Sequence, residues 1–191
     1  MTQIGIDIDG VIADTDTAFR KRMGEVFKRE FPRDMVKEFH YENCFNFNRK
    51  EIDIFCNLFL DKDLWKSIKL IKGARPTMAS LKHKHSLIII TGRPIEVKDI
   101  TLEWLRLKKI PFDKLYFMQG RQKHEIARVN KHKFSLFLED HPDYAYRMAK
   151  DGVRVLLMDY PWNQRMKNHP NIRRVKNWRQ INKILKDSRL L

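Results

Sequence analysis

Short runs of apolar residues alternate along the chain with longer stretches in which apolar residues recur at helical spacing. This alternation is typical of βαβ units, which build a parallel sheet covered by helices. Most of the apolar runs contain few polar residues, as expected of strands buried on both faces. The predicted strands are residues 3–9, 86–91, 114–118, 134–139 and 153–159. We therefore expect an α/β protein with a Rossmann-like parallel sheet of about five strands, flanked by helices.

The helical pattern between the strands is clearest in residues 95–108, where Val97 and Trp104 lie on one face. Further helices of the core are predicted over residues 76–84, 121–131, 143–151 and 177–187. In an open sheet of this kind, ligands bind beyond the carboxyl ends of the strands.

The interval between the first and second predicted strands, roughly 75 residues, is too long for a single crossover helix. Helical patterns over residues 15–30, 49–60 and 61–68 fill it, and the chain re-enters the core at Gly73. We therefore expect a core domain and an inserted helical cap subdomain. The predicted limits are residues 1–14 and 73–191 for the core and 15–72 for the cap.

The composition is strongly basic, with 39 Lys and Arg against 24 Asp and Glu in 191 residues, a net charge of +15. Residues 165–191 carry nine basic residues and one acidic residue. Such a surface attracts anions, which leaves nucleic acid, nucleotides and other small phosphorylated molecules open as partners. The competing interpretation is an amphipathic last helix whose basic residues face solvent, with its apolar face on the core; these apolar residues are Trp178, Ile181, Ile184 and Leu185.

Apolar stretches and cysteines indicate the cellular compartment. No apolar stretch is long enough to cross a bilayer, and the N-terminus lacks the pattern of a secretory signal. Cys44 and Cys56 lie in no zinc-binding pattern, which favours reduced thiols. We expect a cytoplasmic protein without a membrane partner, and the sequence leaves the oligomeric state open.

Two carboxylates close the first predicted strand. Asp7 and Asp9 leave the same face of the chain, and Gly10 allows a turn directly after them. Two neighbouring carboxylates repel each other, so the pair indicates a bound cation or a shared proton. The alternative is an Asp-rich strand end that only caps a turn.

Polar residues also follow two other predicted strands. Thr91 and Gly92 end the second strand, where a hydroxyl and free N–H groups are suited to a phosphoryl oxygen. Glu139 and Asp140 end the fourth strand, with Asp143 close behind, and this second acidic cluster offers oxygen ligands to a hard cation. Both groups also suit the capping of the helices that follow them.

Lys123, near the start of the predicted helix 121–131, is a candidate for neutralising phosphate charge. A lysine is more often a solvated surface residue, and Arg121 and Lys133 are nearby competitors for the same role.

The order of these motifs resembles that of the haloacid dehalogenase superfamily: DIDGV, then TGR, then a lysine on a helix, then an acidic pair that closes a strand. More narrowly, the segments DIDGVIADT, KGARP, IITGRP and LEDHPDYAYRMAKDGVRVLLMDYPWNQ resemble the bacterial relatives of the 5'(3')-deoxyribonucleotidases. In the acidic pair, Glu139 stands where the superfamily more usually has Asp.

The resemblance implies that Asp7 is the nucleophile and forms an aspartyl phosphate, and that Asp9 is the general acid and base. It implies Mg²⁺ bound by Asp7, by the backbone carbonyl of Asp9 and by Asp140, with Glu139 or Asp143 in support. The implied phosphate-binding residues are Thr91, Gly92 and Lys123.

Caps shape substrate choice in this superfamily, so aromatic residues of the cap and the arginine after Gly92 are candidate substrate contacts. Aromatic residues of a small subdomain more often form its own core. The candidates are Phe19, Phe47, Trp65 and Arg93.

The resulting expectation is a Mg²⁺-dependent phosphomonoesterase acting on a small phosphorylated substrate, a nucleoside monophosphate first of all. A phosphatase for sugar phosphates or for nucleic-acid ends is the alternative within the superfamily. A basic nucleic-acid-binding protein on a retained phosphatase fold is the alternative from another class, because the basic C-terminal segment suits a polyanion.

Overall fold

The computed structural model describes residues 2–118 and 134–186. Within these ranges the centre of the molecule is a parallel sheet of six strands in the order β3-β2-β1-β4-β5-β6. The strands are β1 Thr2–Ile6, β2 His85–Thr91, β3 Lys114–Phe117, β4 Phe134–Glu139, β5 Val155–Met158 and β6 Ile172–Val175. The predicted fold class is thus confirmed, with one strand more than expected.

The additional strand, β6, lies at the edge of the sheet and pairs only with β5. Its sequence is IRRV, in which Arg173 and Arg174 interrupt the apolar pattern. Charged residues are common on edge strands, where they oppose pairing with another chain. The expected count of about five strands was therefore too low, because this strand has no apolar run to mark it.

The described residues form seven α-helices. They are α1 Thr15–Phe27, α2 Arg49–Leu58, α3 Lys62–Ser67, α4 Ala74–Lys82, α5 Lys98–Leu107, α6 Pro142–Lys150 and α7 Trp178–Lys186. Short 3₁₀ turns add Arg33–Met35, Tyr41–Asn43, Ile95–Val97 and Pro161–Asn163. The helix predicted over residues 121–131 lies outside the described residues. None of the helices in the described ranges has the length and apolar character needed to cross a membrane.

The central strands are buried on both faces. Along β2, Leu87 and Ile89 belong to one hydrophobic cluster, whereas Ile88 and Ile90 belong to a second cluster on the opposite side. Successive side chains of a strand point to opposite faces, so this division places apolar packing on each side of the sheet. The uninterrupted apolar runs in the sequence have this cause.

Residues 15–72, the inserted segment, follow β1 and precede α4. The two lengths of chain that join it to the sheet are hydrogen-bonded to each other, because Asp14 N–H donates to Lys69 O and Ile71 N–H donates to Ile12 O. Asn48 and Glu51 form a capping box at the start of α2, and the Asp61 carboxylate caps α3. These caps explain why polar residues separate the helices of the segment.

The apolar face of α7 packs on the core, with Trp178, Ile181, Ile184 and Leu185 all buried. Its basic residues Arg179, Lys183 and Lys186 are exposed. This arrangement agrees with the interpretation of the last helix as amphipathic, with its apolar face on the core and its basic residues in solvent.

Candidate active site

Three carboxylates meet at the carboxyl ends of β1 and β4, which are neighbours in the sheet. Asp7 follows β1, Glu139 ends β4 and Asp140 follows it. One oxygen from each lies within 4.8 Å of the others, and all three residues are at most 5% exposed. Like charges buried this closely are costly to hold together unless a cation neutralises them. The all-oxygen donor set fits a hard divalent ion such as Mg²⁺.

The loop after Asp9 passes directly against Asp140. Gly10 has a φ of +75°, and a Cβ built on it would overlap the Asp140 carboxylate. Glycine at this position thus serves two purposes: it adopts the left-handed backbone conformation and leaves space for a candidate metal ligand.

Backbone and amide groups hold the acidic end of β4 in place. Glu139 Oε1 accepts the N–H groups of Asp140 and His141 at 3.0 and 3.1 Å. The Asn163 amide donates to Asp140 O at 2.9 Å and to Met158 O at 2.7 Å, and Asn163 is fully buried. Asn163 lies in the segment that resembles the nucleotidases, but its hydrogen bonds to Asp140 and Met158 depend on the tertiary fold and could not be predicted from the sequence.

Two of the predicted phosphate-binding residues, Thr91 and Gly92, lie at the end of β2, the strand on the other side of β1 from β4. Thr91 is buried, and its hydroxyl accepts the N–H of Arg93 at 3.2 Å. Gly92 lines the cavity described below. Lys123, with its competitors Arg121 and Lys133, lies outside the described residues.

The Asp9 carboxylate does not belong to the cluster of three buried carboxylates. It accepts from Arg93 Nε at 2.9 Å and Arg93 Nη2 at 2.8 Å, and the Thr15 hydroxyl also donates to it. Asp143, at the start of α6, is exposed and lies at the edge of the cavity. Among the described residues, the group with metal-ligand spacing therefore contains Asp7, Glu139 and Asp140.

A cavity of about 660 Å³ lies between the inserted segment and the carboxyl ends of the strands. Its lining on the side of the core includes Asp7, Asp9 and Asp140. On the side of the inserted segment the lining is mainly aromatic. It includes Phe19, Phe39, Tyr41, Phe55, Phe59 and Trp65. The volume falls within the range usual for small-molecule sites.

The four candidate substrate contacts occupy different positions. Phe19, Trp65 and Arg93 line the cavity, although Phe19 and Trp65 also pack against each other with ring centroids 5.2 Å apart. Phe47 packs behind the wall, with its ring 5.3 Å from Phe27 and 5.5 Å from Phe55. Phe39 and Tyr41 were not among the candidates, because they lie in a short irregular stretch whose position depends on the tertiary fold.

A buried carboxylate fixes one of these wall residues. The Tyr41 hydroxyl donates to Asp16 at 2.9 Å, and Arg20 donates to the same carboxylate through Nε and Nη2. Burial, with a further contribution from the charge of Asp16, raises the pKa of the Tyr41 phenol well above its ordinary value. Tyr41 is thus a neutral hydrogen-bond donor at the cavity wall.

A family profile and a relative that match this chain in sequence are both described as nucleotidases. A sequence profile of the family described as 5' nucleotidase, deoxy (pyrimidine), cytosolic type C protein matches residues 1–191. A protein of Bacillus subtilis named as a putative nucleotidase, YqfW, is 32% identical over 179 residues, which are 93% of this chain and 90% of that protein.

Solved structures share the fold at low sequence identity. A haloacid dehalogenase-like protein of Agrobacterium tumefaciens has a TM-score of 0.71 at 14% identity, covering 99% of each chain. A haloacid dehalogenase-like hydrolase of Bacillus subtilis, crystallised with magnesium, has a TM-score of 0.64 at 14% identity. The structural match covers 96% of this chain and 98% of that hydrolase.

Proposed function

Because the chain belongs to the 5' nucleotidase, deoxy (pyrimidine), cytosolic type C family, and is thus a phosphoric monoester hydrolase, we propose that it hydrolyses (deoxy)ribonucleoside monophosphates. The proposed reaction depends on Mg²⁺ and passes through an aspartyl phosphate on Asp7. The observation that carries the proposal is the buried cluster of Asp7, Glu139 and Asp140 at the base of an aromatic-walled cavity.

In the first step, the Asp7 carboxylate attacks phosphorus and an O–P bond to Asp7 forms. The bond from phosphorus to the nucleoside oxygen breaks, and Asp9 gives its proton to the leaving alkoxide. Thr91, Gly92 and Lys123 bind the phosphoryl oxygens, whose negative charge persists throughout the transfer. Thr91 and Gly92 suit this role because they end the strand next to Asp7.

In the second step, water attacks the phosphorus of the aspartyl phosphate while Asp9 accepts a proton from that water. The bond between phosphorus and Asp7 breaks, which releases inorganic phosphate and restores the carboxylate. The position of Asp9 at the cavity wall, two residues beyond Asp7, suits both proton transfers.

The residues that would hold Mg²⁺ are Asp7 and Asp140, with the Asp9 backbone carbonyl and with Glu139 or Asp143 in support. When bound, the ion would offset the charge of the phosphate and of the carboxylates. The burial of three carboxylates within 4.8 Å supports this assignment.

We assign substrate choice to the inserted segment, residues 15–72, acting as a cap over the core formed by residues 1–14 and 73–191. Phe19 and Trp65 line the cavity but are at most 2% exposed, and Phe47 supports the wall from behind. Phe39, Tyr41 and Phe59 of the same lining are partly exposed and offer aromatic surface to a substrate. A nucleobase is a flat apolar group of the kind that such a wall accommodates.

The test is phosphate release from a panel of nucleoside monophosphates, sugar phosphates and a 3'-phosphorylated oligonucleotide, each with Mg²⁺ and with a chelator. We expect Mg²⁺-dependent release from dUMP or dTMP, faster than from sugar phosphates by on the order of tenfold or more. A sugar phosphate or the oligonucleotide as the best substrate would overturn the nucleotide assignment.

The covalent step is tested by Asp7→Asn, which removes the nucleophilic oxygen but keeps the shape of the side chain. We expect turnover to be abolished while the circular dichroism spectrum stays that of the parent protein. Appreciable turnover by the variant would contradict an aspartyl phosphate on Asp7.

A further inference from the structure

Arg93 places a fully buried guanidinium beside Asp9. The side chain of Arg93 is 0% exposed, and that of Asp9 is 27% exposed. Arg93 Nε lies 2.9 Å from Asp9 Oδ2, and Nη2 lies 2.8 Å from Oδ1, so two parallel hydrogen bonds join the groups. The third nitrogen, Nη1, donates to the Thr101 hydroxyl at 3.3 Å. Every guanidinium nitrogen therefore has a protein partner.

Two indole rings from different parts of the molecule enclose the same guanidinium. Its central carbon lies 4.5 Å from the ring centroid of Trp65 and 5.4 Å from that of Trp104. Trp65 belongs to α3 of the inserted segment, whereas Trp104 belongs to α5 of the core. Trp104 Nε1 also donates to Ile68 O at 2.9 Å, which joins α5 to the end of the inserted segment.

This arrangement restricts both the carboxylate and the guanidinium. A bidentate pair with Arg fixes the plane of a carboxylate as well as its position. A general acid must lie within hydrogen-bond reach of the oxygen that it protonates, so its orientation affects the rate directly. An arginine whose nitrogens are all bound to the protein is, in turn, poorly placed to bind substrate.

We propose that Arg93 is a positioning residue for Asp9, and that its packing between Trp65 and Trp104 couples the orientation of that carboxylate to the docking of the inserted segment. The proposal rests on the function proposed above, in which Asp9 protonates the leaving group. It assigns Arg93 a role in proton delivery rather than in direct contact with substrate.

The test compares two substrates that differ in their need for an acid. The nucleoside alkoxide of dUMP is a poor leaving group, whereas p-nitrophenolate is a stable anion that leaves p-nitrophenyl phosphate without a proton. The ratio kcat/KM covers the steps up to cleavage of the first P–O bond, so it excludes the later action of Asp9 as a base.

For Arg93→Lys we expect kcat/KM with dUMP to fall by about 10² or more, the usual size of a general-acid effect, and kcat/KM with p-nitrophenyl phosphate to change far less. A purely structural role would lower both values by the same factor, and that result would overturn the proposal. Arg22→Lys is the matched control, because Arg22 forms a similar pair with Asp61 outside the cavity. It should leave both values near those of the parent.

A double-mutant cycle separates an effect through Asp9 from an independent one. In an Asp9→Asn background, Arg93→Lys should cause little further loss with dUMP, because the acid is already absent. If the double variant instead lost kcat/KM by the product of the two single-variant factors, Arg93 and Asp9 would act independently, and the proposal would be wrong.

Thr101→Val provides the test if Arg93→Lys fails to fold, since it removes a partner of the guanidinium and leaves Asp9 and the cavity lining intact. We expect a smaller loss that is again confined to dUMP, and an equal loss with both substrates would refute the proposal.

The proposed function and this inference fail in different ways. If the parent protein releases phosphate from aryl phosphates but from no nucleotide, the nucleotide assignment is wrong. The role of Arg93 is then decided with a series of substituted phenyl phosphates. Replacing Arg93 by Lys should make the rate depend more steeply on the basicity of the leaving group. An unchanged dependence would overturn the inference.

Discussion

At the scale of single residues, the acidic edge of the sheet depends on a glycine that leaves room for a carboxylate. Gly10→Ala would place a methyl group in the space of the Asp140 carboxylate, in a left-handed conformation that alanine disfavours. We expect a loss of stability well above the ~1–2 kcal/mol of the backbone term alone. We also expect weaker Mg²⁺ binding, seen as a smaller rise in melting temperature on adding Mg²⁺.

Gly152→Ala is the matched control for this prediction. Gly152 has a φ of +86°, close to that of Gly10, but a Cβ at this position meets no atom within 4 Å. It should lose stability only through the backbone and keep the full response to Mg²⁺. Equal behaviour of the two variants in chemical denaturation and in the Mg²⁺ response would show that the contact with Asp140 is unimportant.

The buried amide of Asn163 is a second device that holds Asp140. Asn163→Ala would leave the carbonyl groups of Asp140 and Met158 without this donor. An unsatisfied buried polar group costs about 1–3 kcal/mol, so we expect a loss of that order in urea denaturation, together with slower turnover. The control is Gln164→Ala at the neighbouring exposed position. A parent-like turnover in a folded Asn163→Ala protein would contradict a role in holding the proposed metal ligand Asp140.

The residues at the ends of strands could be predicted from the sequence, and their supporting contacts could not. Asp7, Thr91 and Asp140 follow apolar runs, and the carboxyl ends of parallel strands necessarily share one edge of the sheet. By contrast, the pairing of Arg93 with Asp9 joins residues 84 positions apart and depends on side-chain conformations. No local pattern contains that information.

At the scale of secondary-structure elements, the predicted interiors were more accurate than the predicted ends. The first strand was expected to reach residue 9, but β1 ends at Ile6. The N–H groups of Val11, Ile12 and Ala13 all turn back to Ile8 O, which folds the apolar sequence after Asp7 into a compact loop. Apolar character alone does not distinguish a buried strand from a buried turn.

The edge of the sheet at β3 is fixed by a carboxylate that precedes the strand. Asp113 accepts the Leu87 N–H at 2.7 Å and the Ser86 hydroxyl at 3.1 Å, and it lies 2.7 Å from Lys82 Nζ. The Lys82 ammonium, together with these donors and against the effect of burial, holds the pKa of Asp113 below its ordinary value. This carboxylate therefore joins α4, β2 and the start of β3 while it is ionised.

The lowered pKa predicts how stability depends on pH. The folded protein binds the proton of Asp113 less tightly than the unfolded chain does, so the stabilisation is complete above the ordinary Asp pKa of about 3.9. It is lost as the pH falls through the lower pKa of the folded state. We expect Asp113→Asn to lower the free energy of unfolding by about 1 kcal/mol at neutral pH, an amount reduced by partial exposure of the pair.

Denaturation with urea at several pH values measures this dependence. The difference between the parent protein and Asp113→Asn should shrink as the pH falls below the ordinary Asp pKa. Asp53→Asn changes an exposed carboxylate on α2 and is the control. A difference for Asp113→Asn that stays constant with pH would show that the charge of Asp113 does not stabilise this edge.

At the scale of the whole molecule, the inserted segment and the core meet on more than one side of the cavity. The ring of Phe39 lies 3.9 Å from that of His141, and the guanidinium of Arg33 lies 5.1 Å from the ring of Tyr160. Together with the contact of Trp65 with Arg93, these contacts hold the inserted segment against the core. A segment held over the carboxyl ends of the strands in this way suits a small substrate better than the interior of a polymer.

The last helix acts on the site through packing, although its charge is its most visible feature in the sequence. The indole N–H of Trp178 donates to Val11 O at 2.7 Å, across 167 residues of chain, and Trp178 is fully buried. Val11 belongs to the loop that follows Asp9, so the end of the described chain supports the loop that carries the proposed acid.

Two variants of this helix separate packing from charge. Trp178→Phe keeps an aromatic ring but removes the donor to Val11, and we expect a loss of about 1–3 kcal/mol together with slower turnover. Joint replacement of the exposed Arg179, Lys183 and Lys186 by Gln should leave stability within about 0.5 kcal/mol per site and should leave turnover unchanged. Urea denaturation and kcat/KM with dUMP measure both effects.

The opposite pattern, with turnover lost in the charge variant and kept in Trp178→Phe, would mean that the basic surface guides the substrate. A nucleic-acid-binding protein would instead lose DNA affinity and its salt dependence with those charges, whereas a nucleotidase needs them for neither of its chemical steps.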